Sequence, residues 1–291
     1  MWFYIAISAA LVSGISVILS KQTLSKVGPA VLYWASLAIS TPLIAFFAFK
    51  NGIPNLSGIF FIGALGSIIF YTFSRILQFR VIRDAPLSHV YPLIALSPIS
   101  TLILAFLPPI SERPSALSLL GVLISLVGTY ILNISSVREG LFEPFKILFR
   151  NKFAFLMLIS VVTLGFVNAF DKIAIKGTDP QNTIFALFFE NIVIVFGMLP
   201  YFIPKLKDVF SQISMNKWPL LSLGVLAAIS NSLGFISIGN GNVGIVSALF
   251  RTQIFFALLF SFLLFKDKPK FETIIGSIIM ISGVVLIKIG L

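Results

Sequence analysis

GISVILSK at residues 14–21 and GFVNAFDK at residues 165–172 decide the fold, because the second stretch repeats the glycine and the lysine of the first 151 positions later. The same offset carries Pro29 to Pro180. Matches at one offset, flanked by similar apolar runs, indicate one unit of about 150 residues written twice. Such a repeat in an apolar chain is typical of membrane transporters, whose two related halves enclose one central site.

The ends of the two units repeat as well, at an offset of 155. The equivalent pairs are Pro114 and Pro269, Gly121 and Gly276, and Gly128 and Gly283. The alternative to a repeat is chance matching of common glycines and prolines. The change of offset falls between residues 63–88 and 224–243, so we expect the third helix and its exit to be about six residues longer than their counterparts.

The composition predicts a chain surrounded by lipid. It is 58% hydrophobic and 11% charged, with a mean hydropathy of +1.05 and 31 Phe, whereas soluble domains carry about 25% charged residues. There is no cysteine and His89 is the single histidine, so a thiolate or histidine metal site is not expected. We therefore predict no metal and no cofactor.

The basic charge of the chain predicts membrane orientation rather than nucleic-acid binding. The net charge is +11 and the pI about 10.0, but the Lys and Arg residues stand singly or in small groups between apolar runs, as in multi-pass membrane proteins. We expect a small-molecule substrate and membrane lipid as partners, no nucleic acid, and the cell membrane (plasma or inner) as the location. Gly276 and Gly283 could face either a second copy in a homodimer or a neighbouring helix.

An all-α membrane protein with ten transmembrane helices is predicted, since a span needs about 20 mainly apolar residues. The spans are expected at about 2–20, 30–49, 57–79, 87–107, 115–134, 153–172, 182–203, 218–238, 243–265 and 271–289. These divide the chain into a first repeat, a linker and a second repeat, at residues 1–134, 135–152 and 153–291. The linker is expected to form a short amphipathic surface helix. Because five is an odd number, the two five-helix repeats must enter the membrane in opposite senses and be inverted.

The repeated blocks resemble a known family. The Gly-x6-Lys ends of the first and sixth helices, and the run from Pro98 through Glu112-Arg113 to Gly121 and Gly128, are similar to those of EamA-type proteins of the drug/metabolite transporter superfamily. The resemblance spans nearly the whole chain and implies two EamA-like repeats. The chain departs from the pattern at Gln253, where the family usually has the proline that matches Pro98, and at Ser13, where it often has Trp.

The charge distribution and the family resemblance predict opposite orientations of the chain in the membrane. Most Lys and Arg residues outside the helices fall in the odd-numbered loops, which the positive-inside rule places in the cytoplasm, with both termini outside. The family resemblance implies both termini in the cytoplasm instead.

Two charges fall near mid-membrane depth, where an ionisable side chain is a functional hypothesis by default. Glu190 lies in the seventh span and Arg251 in the ninth, both roughly 13 Å from the same face at 1.5 Å per residue. They are candidates for substrate binding together with Gln253. A buried pair that only locks two helices is the alternative. Glu190 is also the candidate for carrying a coupled proton, because burial favours a neutral carboxyl group.

Further substrate-binding candidates lie around the third and fourth spans. Tyr71, Arg75 and Gln78 follow one another at helical spacing, and Arg75 either contacts an anion or snorkels to the interface. His89 and Tyr91 begin the fourth span near the same face. Pro92 and Pro98 are expected to bend that span.

The remaining candidates are intramembrane amides and aromatic residues. Asn168 and Asn231 either bind substrate or join helices by hydrogen bonds. Trp34, with its neighbour Tyr33, forms either a stacking wall or part of an interfacial belt. Lys21 and Lys172 match the family motif, but both fall near helix ends.

The predicted function is secondary transport of a small organic metabolite, most readily an amino acid or its analogue, by alternating access and with proton-coupled export as one mode. The alternatives are a drug, nucleotide or sugar metabolite carrier of the same fold, or a channel-like protein. There is no Gly-x4-Gly-Lys-[Ser/Thr] loop for ATP. The few scattered acids and one histidine do not suggest an enzyme.

Overall fold

The computed structural model describes residues 1–50, 52–84, 91–134, 152–265 and 271–291, and in these ranges the chain is helical apart from turns and two strands of two residues each. The first repeat contains α1 (Trp2–Leu24), α2 (Pro29–Phe49), α3 (Gly58–Asp84), α4 (Ser97–Phe106) and α5 (Ala116–Ile134). The second contains α6 (Lys152–Lys176), α7 (Thr183–Gly197), α8 (Leu199–Phe202), α9 (Leu206–Met215), α10 (Lys217–Asn240), α11 (Val243–Phe250), α12 (Gln253–Phe265) and α13 (Phe271–Ile289).

Short elements join these helices. A 3₁₀ helix, Tyr91–Leu96, leads into α4, and a second one, Ile203–Lys205, leads into α9. Strands β1 (Asn55–Leu56) and β2 (Thr178–Asp179) pair antiparallel and connect the loop after α2 with the loop after α6.

Eight described helical segments are long and apolar enough to cross a membrane, and Ser97–Phe106 and Ala116–Leu132 are shorter apolar helices. Helices suit this role because a lipid environment offers backbone groups no water, so each must be hydrogen-bonded within its own segment. Their outward faces carry exposed apolar side chains such as Phe46, Ile62 and Phe196, as expected for contact with lipid. The segment at 57–79, which contains Arg75 and Gln78, is confirmed as part of a single helix. The predicted linker helix at 135–152 lies outside the described residues, except for Lys152.

The repeat-related glycines of α5 and α13 face each other. A Cβ atom on Gly121 would lie 2.7 Å from the carbonyl oxygen of Gly283, and one on Gly276 would lie 2.9 Å from that of Gly128. The two contacts are equivalent under the repeat, because Gly121 corresponds to Gly276 and Gly283 corresponds to Gly128. The earlier glycine of each helix meets the later glycine of the other, so α5 and α13 run antiparallel. The glycines thus serve contact between neighbouring helices, one of the two uses expected for Gly276 and Gly283.

Two further glycine contacts are related in the same way. Gly14 on α1 packs against the start of α12, at Gln253 and Phe256. Its equivalent, Gly165 on α6, packs against Ser100 and Thr101 near the start of α4. Each repeat therefore places its first helix against the broken fourth helix of the other repeat, so neither half forms this contact alone.

The fourth span of each repeat is interrupted at the same position. In the first repeat the 3₁₀ helix ends at Leu96 and α4 begins at Ser97, and in the second repeat Arg251 and Thr252 separate α11 from α12. These positions are 155 residues apart. The first break has Pro98 just inside α4, as expected for a bent span. The second break occurs without a proline, because the N–H groups of Arg251 and Thr252 turn to the carbonyls three residues back, at 3.1 and 3.0 Å.

Candidate functional site

A cavity of two adjoining chambers, lined by polar and apolar side chains, lies between the two repeats. The carboxyl chamber encloses about 890 Å³ and the Lys21 chamber about 1030 Å³, each including space open to solvent. Ser13, Tyr71, Arg75, Gln78, Ser230, Asn231 and Gln253 line both chambers. The cavity is therefore continuous from the middle of the bundle to Lys21 at the end of α1.

Eight of the sequence-predicted site residues line this cavity. They are Tyr71, Arg75, Gln78, Asn168, Glu190, Asn231, Arg251 and Gln253. They come from six elements: α3, α6, α7, α10, the break between α11 and α12, and α12 itself. Only the tertiary packing brings these elements to one space.

The other three predicted residues are not part of this lining. The indole N–H of Trp34 donates to the carbonyl of Val195 at 2.9 Å, and its ring packs against Phe202, so it joins α2 to the second repeat. His89 lies outside the described residues. Tyr91 begins the 3₁₀ helix before α4, and its side chain also lies outside what the structure describes.

Two buried carboxyl groups meet at one hydroxyl in the carboxyl chamber. The Ser67 hydroxyl on α3 contacts Asp171 Oδ1 on α6 and lies 2.9 Å from Glu190 Oε2 on α7. All three side chains are buried, at 0%, 4% and 3% exposure. The second oxygen of Glu190, Oε1, has no hydrogen-bond partner. We name this group the carboxyl dyad.

One hydroxyl bridges the two carboxyl groups of the dyad. A serine hydroxyl carries one hydrogen, so it can donate to only one carboxylate at a time. The contact with the other carboxyl group is a hydrogen bond only when that group is protonated and donates to Ser67 Oγ. Two like charges held this close in a buried site also repel, which disfavours a doubly ionised pair. The contacts of Ser67 and the repulsion between two carboxylates therefore both favour a dyad with no more than one negative charge.

Two arginines face the same chamber without a carboxylate partner. Arg75 donates from Nη1 to Gln78 Oε1 at 2.9 Å and lies over the ring of Phe79 at 5.0 Å. Arg251, at the helix break, is 5% exposed. The Nε of each arginine is buried with no hydrogen-bond partner. Within the described chain, neither makes an ion pair.

The structure separates Glu190 from Arg251. Both line the carboxyl chamber, but no ion pair within 4.0 Å joins them, so the alternative of a buried pair that locks two helices is wrong. Glu190 contacts Ser67 instead. The acid on α7 and the base at the helix break remain available to the cavity.

The two amides differ in their surroundings. Asn168 donates to Thr101 Oγ1 at 3.3 Å and to Ser247 Oγ at 3.1 Å, and these two hydroxyls lie 3.2 Å apart. Asn168 thus joins α6 to α4 and α11 at the edge of the chamber. Asn231 lines both chambers and makes no side-chain hydrogen bond to the described part of the chain.

Lys172 lies at the end of the bundle opposite Lys21. Its Nζ donates to the carbonyls of Ile238 and Gly241 at 2.7 and 2.8 Å and pairs with Glu112 at 3.1 Å. The other oxygen of Glu112 accepts from the N–H of Val243 at 2.7 Å, at the start of α11. Glu112 and Lys172, which both match the family motif, therefore form a cross-link. The N–H donors of Lys172 are directed to this cross-link and not to the cavity. Lys21, its repeat equivalent, lines the other chamber.

Sequence reasoning missed Asp171 and Ser67 as site residues. Asp171 is the sequence neighbour of Lys172 but lines the chamber, whereas Lys172 donates to carbonyls at the end of α10. A signal was present in the sequence. Asp171 lies inside an apolar run, and an ionisable side chain at such a position costs free energy and is a functional hypothesis by default. Ser67 carries no comparable signal, since serine is common in membrane helices.

Comparisons with known proteins agree with the two-repeat architecture. The model of the EamA-like transporter family matches residues 1–134 and again residues 151–289. A solved crystal structure of a protein is similar over 99% of this chain and 97% of its own, with a TM-score of 0.71 and 17% sequence identity, which shows the fold alone. No curated protein matches the chain. Because the family model covers nearly the whole chain in two copies, the chain belongs to the EamA-like transporter family.

Proposed function

We propose that this protein is a secondary transporter that moves a small organic metabolite across the cell membrane by alternating access. The observation that carries the proposal is the cavity between the repeats, which is lined by both halves and bordered by two broken helices. Ten spans form two inverted five-helix halves, and rocking of one half against the other exposes the cavity to each side in turn. The substrate is a small metabolite such as an amino acid or an analogue.

The packing at the ends of the cavity supports a carrier over a channel. The Lys172–Glu112 cross-link joins α6, α10 and α11 at one end, whereas the Lys21 chamber extends to the other. A channel requires a continuous path through both ends. An asymmetric pair of ends is what alternating access needs in one of its two conformations.

Counterflow in proteoliposomes tests the proposal. Vesicles are loaded with one unlabelled candidate from a panel of amino acids, nucleosides, sugars and cationic drugs, and uptake of the labelled compound is followed. A carrier gives saturable uptake that rises transiently above equilibrium, because the loaded substrate drives exchange. Uptake that is rapid, non-saturable and without counterflow would indicate a channel. Which compound exchanges decides between an amino acid, a nucleotide or sugar metabolite and a drug.

The carboxyl dyad is proposed to couple transport to protons. Glu190 was the sequence-predicted proton carrier, and the contacts of Ser67 with Glu190 and Asp171 support a site that gains and loses one proton. A proton gradient can then drive export or accumulation against a substrate gradient.

Glu190→Gln tests the coupling, because the amide keeps the shape of the side chain but cannot titrate. We expect pH-driven accumulation to be lost and exchange at equal pH to be kept. Glu272→Gln, at an exposed position at the start of α13, is the matched control and is expected to accumulate substrate like the wild type. Intact pH-driven accumulation in both Glu190→Gln and Asp171→Asn would contradict the assignment.

A further inference from the structure

We propose that Arg75 and Arg251 form an oxyanion subsite in the central cavity, so that the transported substrate carries a carboxylate or phosphate group. The inference rests on the proposed transport function and names the chemical class of its substrate.

The first step is the unsatisfied hydrogen-bonding capacity of the arginines. A guanidinium group is always charged and has five N–H donors in a planar fork that matches an oxyanion. Both Nε atoms are buried without a partner, and neither group has a carboxylate within 4.0 Å in the described part of the chain. An unpaired buried charge is strongly unfavourable. A bound oxyanion would accept from these donors.

The second step is the helix break at Arg251. α12 has 13 residues and begins at Gln253, which lines both chambers. The N–H groups of Ile254 and Phe256 are bonded to the carbonyls of Arg251 and Thr252, at 3.1 Å each. The positive charge at the break is therefore that of the Arg251 side chain, which lines the carboxyl chamber and is 5% exposed.

The third step is the charge of the carboxyl chamber. The arginines contribute two positive charges, and the contacts of Ser67 with both carboxyl groups favour a single negative charge on the dyad. The remaining charged residue of the lining, Lys21, is also positive. The cavity is therefore positive overall, and an anionic substrate group restores neutrality.

The carboxyl dyad and the arginines lie at separate positions in the cavity, so one can bind a proton while the other binds an oxyanion. Ser67 and Arg75 both lie on α3, eight residues and so about 12 Å apart along the helix axis. Tyr71 lies between them and lines both chambers. The dyad can therefore gain or lose its proton while an oxyanion occupies the arginines.

Thermal unfolding of the purified full-length protein tests the subsite with small probes. Sodium acetate and inorganic phosphate represent the two oxyanions, and sodium chloride at equal ionic strength and acetamide are the reference additives. A ligand that binds the folded state raises the apparent Tm with its concentration. We expect acetate or phosphate to raise the Tm above both references, and the better of the two identifies the substrate group as carboxylate or phosphate.

Arginine variants test whether the rise in Tm depends on the proposed subsite. Arg251→Gln should weaken the apparent Kd of the effective probe about tenfold or more, because a charge-assisted hydrogen bond is lost. Arg83→Gln, on an exposed residue at the end of α3, is the matched control and should respond like the wild type. If Arg251→Gln does not fold, Arg75→Gln carries the same test. The proposal is overturned if neither oxyanion exceeds chloride, or if the rise in Tm persists unchanged in the arginine variant.

Counterflow separates this inference from the proposed function. Saturable counterflow of a neutral or cationic compound, unaffected by Arg251→Gln, would leave the transporter standing and overturn the oxyanion subsite. Conversely, stabilisation by acetate or phosphate that needs Arg251, without counterflow of any compound in the panel, would support the subsite and count against transport.

Discussion

Ser40 and Asn191 are equivalent residues of the two repeats, and they contact each other: Asn191 Nδ2 donates to Ser40 Oγ at 3.3 Å. Both are buried, at 0% and 2% exposure. A residue can touch its own repeat equivalent only near the axis that relates the two repeats. The axis therefore passes through the crossing of α2 and α7. Glu190, the residue before Asn191 on α7, lies close to it. The dyad lies beside the axis but is built from unlike residues, so symmetry of the backbone does not extend to the chemistry of the cavity.

Lys172→Met is expected to lower the free energy of unfolding by about 3–5 kcal/mol, the usual cost of breaking a buried ion pair and leaving its partner alone. The variant leaves Glu112 and the carbonyls of Ile238 and Gly241 without the ammonium group. Thermal unfolding in detergent measures the loss. Lys176→Met, one turn further along α6, is the control and should cost less than about 1 kcal/mol, because that lysine bonds its carbonyl partners at the surface. Equal effects of the two substitutions would contradict the assigned cross-link.

Gly128→Ala is expected to destabilise the protein by about 1–3 kcal/mol through overpacking. Its new Cβ would lie 2.3 Å from the backbone nitrogen of Met280, and a backbone atom on a packed helix cannot swing away as a side chain can. Gly197→Ala is the control, since nothing lies within 4 Å of a Cβ at that position, and alanine is the better helix former. The apparent Tm of the two variants checks the prediction, which fails if Gly128→Ala unfolds no earlier than Gly197→Ala.

Gln253→Pro, which introduces the proline usual in the family, is expected to leave stability within about 1 kcal/mol of the wild type. Gln253 is the first residue of α12, where a proline loses no helical hydrogen bond. Phe256→Pro should cost about 3 kcal/mol or more relative to Phe256→Ala, because it removes the bond from Phe256 N–H to the Thr252 carbonyl at 3.1 Å. Similar losses for the two prolines would show that the break at Arg251 is not where the structure has it.

Ser67→Ala is expected to change the pH dependence of transport while the protein still folds. Without the hydroxyl, the two carboxyl groups lose the bridge that lets them share one proton. Initial uptake rates measured from about pH 3.5 to about pH 9, a range that covers ordinary carboxyl and histidine titrations, check this. Ser74→Ala removes another buried hydroxyl of α3, which donates to the Ser160 carbonyl at 2.7 Å, and should leave the pH profile unchanged. A profile for Ser67→Ala that matches that of Ser74→Ala would speak against a proton-sharing dyad.

Several features of this protein could be predicted from the order of residues alone. The offset between Gly14 and Gly165 and the length of the apolar runs predict two repeats of spanning helices, and the family model matches in two copies. Such features are legible because a lipid-exposed helix needs a fixed length and composition wherever it packs. Glu190 and Arg251 were predicted as site residues because a charge in an apolar run costs free energy. Both line the cavity.

Other features depended on how the helices pack. Which of two neighbouring residues faces the cavity, Asp171 or Lys172, is a matter of rotation of α6 about its axis, and apolar runs with little periodicity do not specify it. The failure of Glu190 and Arg251 to pair has the same origin, because equal depth along two helices does not bring their side chains together. The helix break at Arg251 also forms without a proline, held by its contacts with α1 and by turned backbone bonds.

The sequence by itself thus determined the number and length of the repeats, the lipid surroundings and the few charges that the membrane must tolerate, because each of these is set by residues along one helix. The tertiary structure alone decided that two acids share Ser67, that two arginines stand unpaired and that Lys172 joins three elements. Those arrangements join residues up to about 130 positions apart, such as Glu112 and Val243, and depend on the rotation and crossing of helices that local composition leaves open.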